Sequence, residues 1–127
     1  MSIPVELQTL AGIVHDYRSA YLMTNSEKGA PHAVQVAAAV EGGDVVVRTV
    51  GRRTRDNALA RPAVGLLWPP KAEGDYSLIV DGEARVEGDA IRIKPTRAVL
   101  HRPSPAPRAR AEGSCASDCV ELSVRPS

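Results

Sequence analysis

Apolar and polar positions along the chain alternate mostly in the short steps of strands, not in the long steps of helices. Ser19–Asn25 is a short run around Leu22 and Met23 that reads as a strand. Ser26–Gly29 then forms a turn with a charged Glu27–Lys28 tip. Ala30–Val40 is the longest extended segment, with Val34 and Val36 set against Gln35, although its alanines also tolerate a helix. Glu41-Gly42-Gly43-Asp44 is a hairpin turn, because paired glycines supply positive φ. Val45–Val50 returns as the partner strand, and Ala63–Trp68 is a further apolar run stopped by Pro69-Pro70. Lys71–Asp75 is a loop. Tyr76–Val86 alternates on both sides of Asp81-Gly82, which predicts one bent strand with a glycine bulge. Glu87-Gly88-Asp89 turns into a strand over Ala90–Lys94.

Helical spacing is weaker. Val5, Leu7, Leu10, Ile13 and Val14 make one apolar stripe, predicting a helix over Pro4–Tyr17. A second helix is expected from Thr54, as its cap, through Arg61, with Pro62 ending it. Thr96–His101 is read as a single helical turn. Arg102–Ser117, rich in Pro, Ala, Arg and Ser, is read as a mobile connection, and Cys119–Val124 alternates as a last strand. Short strands between glycine and proline turns point to an all-β sheet or barrel.

Composition narrows the function classes. The chain has 127 residues, enough for one domain with a modest core. It contains no Phe, three Tyr and one Trp, so burial at a subunit interface would add to a thin core. A formal net charge of +1 argues against general nucleic-acid binding. No segment reaches the roughly 18 apolar residues of a membrane span, and the N-terminus lacks the pattern of a signal peptide. The expectation is a cytoplasmic protein. Cys115 and Cys119 make no disulfide framework and only a weak zinc pattern. No phosphate-loop or dinucleotide-binding glycine motif is present, and no carboxylate pair is arranged for hydrolysis.

The chemistry concentrates in Asp44–Trp68: a β-branched run, the cationic Arg52-Arg53-Thr54-Arg55, a short helix and a second apolar run. Cationic side chains beside a helix start, with its free N–H groups, suit a phosphate. The order Arg52-Arg53-Thr54, Asn57-Ala58-Leu59, then Pro62-Ala63-Val64-Gly65-Leu66-Leu67-Trp68 resembles the flavin-binding split β-barrel family related to pyridoxamine 5′-phosphate oxidase. In that family a Ser-Arg-Lys triplet holds the flavin phosphate, and an Asn-Leu helix and a Pro-x-Val-x-Leu-Leu strand follow. The Gly29/Pro31/His32 strand opening and Tyr76–Ala84 extend the likeness over about Ser19 to His101.

The resemblance implies a six-stranded antiparallel Greek-key split β-barrel, mostly β with a few short helices. It further implies a homodimer with FMN at the interface and a flavin-dependent oxidoreduction of a small-molecule substrate. Arg53 would contact the phosphate. Arg52 stands at the family's Ser position and Thr54 at its Lys position, so one cation is exchanged for a hydroxyl. Arg48 and Thr49 would add contacts. Val34, Gln35 and Val36 would lie along the isoalloxazine, and Tyr76 and Ser77 fall where the flavin is reached from elsewhere in the dimer. The end ELSVRPS lacks the Arg- and Trp-containing segment of true pyridoxamine phosphate oxidases.

Alternatives within the fold are a deazaflavin, held by a broader groove of Arg48, Arg52, Arg53, Arg55 and Arg61, or haem on His32, His101 or His15. A non-catalytic flavin-binding module is the alternative outside enzymes. His32 is read either as a proton donor near a flavin or as a polar residue satisfied by a turn carbonyl. Trp68 is expected to pack in the core or interface.

Overall fold

The computed structural model describes residues 1–104, and the readings for Cys115, Cys119 and the strand Cys119–Val124 fall outside them. Eight strands form one antiparallel sheet: β1 (Ser2–Pro4), β2 (Ala20–Asn25), β3 (Pro31–Val36), β4 (Ala38–Glu41), β5 (Asp44–Val47), β6 (Ala63–Trp68), β7 (Ser77–Glu87) and β8 (Ala90–His101). The described residues also form two helices, α1 (Leu10–His15) and α2 (Arg52–Ala60), with a 3-10 turn at Leu7–Thr9 before α1. Period-2 patterning explains the core. Ala20, Leu22 and Thr24 of β2 point inward, as do Val64, Leu66 and Trp68 of β6, Leu78 and Val80 of β7, and Ile91 and Ile93 of β8.

The sheet order is β3-β2-β6-β7-β8-β5-β4, with β1 beside β8. β6, β7 and β8 are consecutive and β5 returns beside β8, a Greek-key arrangement in which α2 forms the long connection. β3 and β4 stand at opposite ends of this order, yet only Ala37 separates them in the chain. One bent segment therefore pairs with β2 through its first half and with β5 through its second, and curls the sheet into a barrel with a split.

That partner switch corrects the expectation of one strand over Ala30–Val40. Counting its halves separately and adding β1 gives eight strands where six were expected. β1 also replaces the start of the helix predicted over Pro4–Tyr17, whose helical part shortens to α1. The cause is a vacant edge: β5 covers β8 only at Ile91–Ile93, so Ser2–Pro4 pairs with Val99–His101. With β7 on its other side, Thr96–His101 is strand, not a helical turn. The strand expected over Val45–Val50 ends at Val47, and Thr49 leaves it at φ 62°, the one positive-φ non-glycine among the described residues.

The bulge predicted at Asp81-Gly82 is present as a register shift between those residues. A Cβ at Gly82 would sit 2.6 Å from both Ile93 Cγ2 and the Lys94 carbonyl oxygen, so glycine permits the close crossing of β7 and β8.

Candidate functional site

α2 begins one turn earlier than its sequence suggests. Gly51 is the N-cap, with no side-chain cap bond, and Thr54 lies inside the helix, 2% exposed. Thr54 is therefore not the cap: its hydroxyl faces the barrel instead of the first N–H groups. The first helical bond runs from Arg55 N–H to the Gly51 carbonyl, 3.1 Å, which leaves the N–H groups of Arg52, Arg53 and Thr54 without a helical acceptor. Arg52 and Arg53 thus sit within the first turn, both exposed. Neither makes an ion pair or side-chain hydrogen bond among the described residues.

The other arginines of the expected groove are engaged. Arg48 donates to both carboxylate oxygens of Glu41, at 2.9 and 3.1 Å. This hydrogen bond holds the Glu41 carboxyl below its ordinary value, burial opposing it, and raises Arg48. Arg55 donates to the Val50 carbonyl, 3.0 Å, and meets Asp89 at 3.5 Å. Arg61 donates to the Asn25 carbonyl, 2.6 Å, and reaches Asn57 Oδ1 at 3.4 Å. The five-arginine groove reduces to two guanidinium groups free of protein partners among the described residues.

Side chains that the sequence reading passed over or left open hold α2 to the barrel. Asn57 Nδ2 donates to Thr24 Oγ1, 3.1 Å, with both residues buried. Thr54 Oγ1 lies 3.5 Å from His32 Nε2 on β3. One signal was available: Thr24 occupies the inward phase of β2 with Ala20 and Leu22, and a polar group there requires a buried partner. His32 thus meets a side chain of α2 through Nε2, and no turn carbonyl pairs with it among the described residues.

The remaining candidates divide between the two ends of the barrel. Val34 and Val36 are half-buried on β3 and pack against the core, while exposed Gln35 donates to Ser19 Oγ, 2.8 Å. Arg48 lines a concavity of about 230 Å³ with Ala37, Ala38, Ala39 and Val46. Tyr76 and Ser77 lie at the far end of β7 from its hairpin with β8. Asp89, in that hairpin's turn, accepts from Val50 and Arg55 beside the start of α2. The length of β7 is roughly 30 Å at strand rise, so one chain does not bring these two residues to Arg53. The Tyr76 carbonyl accepts from Tyr17 Oη, 2.9 Å, and its ring lies under Arg102 at 4.6 Å. Burial raises the Tyr17 phenol, with Asp75 and Asp16 adding to the shift. Of the three histidines, His32 meets Thr54, His101 Nδ1 meets Ser2 Oγ at 2.9 Å, and His15 ends α1. No group of three or more potential metal ligands occurs among the described residues. A groove of about 480 Å³, walled in part by Met23, Gly65, Asp81 and Glu83, contains none of the candidate residues.

No protein-family model matches the chain. An uncharacterized protein of Mycobacterium bovis is 38% identical over 136 aligned positions, covering 94% of this chain and 96% of the relative; one from Mycobacterium tuberculosis matches equally. Among solved structures, a candidate pyridoxamine 5′-phosphate oxidase from Listeria innocua superposes with a TM-score of 0.63 at 15% identity, covering 74% of this chain and 96% of its own. An F420 reductase gives 0.60 at 17% identity, covering 76% and 98%. An FMN-binding protein from Syntrophomonas wolfei gives 0.62 at 12% identity, covering 78% and 88%. The chain belongs to one family with the mycobacterial proteins, and its fold is the pyridoxamine 5′-phosphate oxidase-like split β-barrel. In this split barrel the connection between β5 and β6 carries the exposed Arg52–Arg53 pair. No helix among the described residues is long and apolar enough to cross a membrane.

Proposed function

We propose that this split barrel binds FMN as a homodimer and serves as a flavin-dependent oxidoreductase for a small-molecule substrate. One observation carries the reading: Arg52 and Arg53, free of ion pairs among the described residues, share the first turn of α2 with backbone N–H groups that have no helical acceptor. A phosphate dianion fits that donor set, which combines charge, bidentate geometry and a helix start. Val34–Val36, on a strand beside the split, would lie along the isoalloxazine, with two half-buried valines and exposed Gln35. Bound flavin would supply the electron chemistry, and the protein would bind and orient it. Tyr76 and Ser77, at the opposite end of β7, would be supplied by the second copy.

The test is an FMN titration of the purified protein, with an absorption spectrum taken first and the oligomeric state measured by sedimentation. Saturable binding of one FMN per subunit in a dimer is expected. Absence of binding, or binding by a monomer, overturns the corresponding part of the reading. A deazaflavin is the second reading, supported by the fold shared with the F420 reductase. A deazaflavin spectrum in the same measurement would select it, and a sharp haem band would select haem. Flavin bound without turnover of any reducible substrate would select the non-catalytic module.

A further inference from the structure

We propose that His32 completes the phosphate-binding end of the split barrel, supplying through imidazole Nδ1–H the donor that the Arg52-Arg53-Thr54 triplet lacks at its third position. The inference rests on the phosphate reading of the α2 start and assigns a residue that this reading does not use.

Three observations converge on His32. Thr54 carries no charge, is 2% exposed and lies inside α2 rather than at its cap, so its hydroxyl cannot itself present an exposed donor to an anion. His32 comes from β3, and its Nε2 is 3.5 Å from Thr54 Oγ1. Among the described residues β3 pairs only with β2, so its other edge borders the split. The Thr54 hydroxyl has one proton to give. When it donates to Nε2, that nitrogen is the acceptor, and the neutral ring must carry its hydrogen on Nδ1. Nδ1 has no partner among the described residues, and the ring is only half-buried. A neutral imidazole held in this tautomer is a ready donor to a phosphate oxygen, with no net charge to desolvate. Thr54 is then a positioning residue: it sets the tautomer and orientation of the ring without touching the ligand.

The arrangement also accounts for two side chains that are otherwise unusual. A threonine buried in a helix interior and a histidine on an otherwise uncharged strand face each other, Oγ1 to Nε2 at 3.5 Å. The neighbouring bridge, Asn57 to Thr24, keeps α2 at the distance from β2 and β3 that this pairing requires.

The experiment compares FMN with riboflavin, which has the same ring system but no phosphate, on wild type, His32→Ala, His32→Gln and Thr54→Val. The expected result for His32→Ala is FMN affinity about tenfold weaker, with riboflavin affinity unchanged. His32→Gln, which retains an N–H donor, recovers part of the loss. Thr54→Val weakens FMN binding in the same direction, and adding it to His32→Ala produces no further loss, because both act through one ring. Equal weakening of FMN and riboflavin, or FMN affinity unchanged in His32→Ala, overturns the proposal while the FMN reading stands. Wild-type protein that binds riboflavin as tightly as FMN, or binds neither, overturns the phosphate reading and the proposal together. Far-UV circular dichroism and melting of each variant separate a ligand effect from unfolding.

Discussion

The two helices close the barrel by opposite means. α1 is a plug: Leu10 and Val14 are buried in the core cluster, and its side chains make no hydrogen bond to the sheet among the described residues. α2 is a bracket: Thr54, Asn57 and Arg61 reach His32, Thr24 and the Asn25 carbonyl on the β2–β3 hairpin. Apolar burial is strong but non-directional, so a plug tolerates small rotations. Hydrogen bonds add less net free energy but fix angle and distance. The bracketed helix carries the exposed arginines, and holding them in place calls for direction more than for gross stability.

Breaking the plug should give the largest effect. Leu10→Ala is expected to destabilise the fold by about 2–5 kcal/mol in urea unfolding, while leaving the preference for FMN over riboflavin intact in the protein that remains folded. Arg53→Ala gives the reverse pattern. Its exposed side chain has no protein partner among the described residues, so the melting temperature stays within error while FMN binding weakens by about 1.5–3 kcal/mol in a fluorescence titration. Asn57→Ala should do both at once. It strands the Thr24 hydroxyl, 1% exposed, and costs about 1–3 kcal/mol of stability. Adding Thr24→Val should recover part of that stability without recovering FMN affinity, because the hydroxyl is no longer orphaned but the helix is no longer aimed.

The smallest effect belongs to the exposed Arg48–Glu41 pair, which serves neither end directly. The Glu41 carboxyl lies below its ordinary value in the folded protein because Arg48 hydrogen-bonds to it. Its contribution is therefore present above the unfolded-state value and is lost as pH falls through the lower, folded value. Glu41→Gln should lower the melting temperature slightly at neutral pH and leave it unchanged at acid pH, where the wild-type carboxyl is protonated too, so the acid limb of a melting-temperature against pH curve is flatter. A loss of FMN affinity in Glu41→Gln would show that the β4–β5 hairpin, too, positions the site.

Much of the fold is legible along the chain, for local reasons. The Gly42-Gly43 and Gly88 turns need positive φ, and all three glycines have it. The Gly82 bulge follows from alternation that persists on both sides of it. The cationic start of α2 also follows from sequence, since Arg52 and Arg53 remain exposed whichever turn begins the helix.

What failed depended on partners distant in sequence. Ser2–Pro4 is a strand because it fills the β8 edge that the short β5 leaves open, and Thr96–His101 because it lies between that strand and β7; Ser2 and its partner His101 are roughly a hundred residues apart. Thr54 looked like a cap because Ser and Thr commonly are, but Gly51 caps the helix and the barrel claims the hydroxyl. Strand periodicity, the turns and the concentration of charge at Arg52-Arg53 are set by neighbours a few residues away and can be read along the chain. Which arginines are already paired, that His32 meets Thr54, and that Tyr76 and Ser77 lie at the other end of the barrel come from the folded arrangement alone. Those relations are distances through space, and a strand pattern that repeats every two residues carries no record of which strand lies beside it.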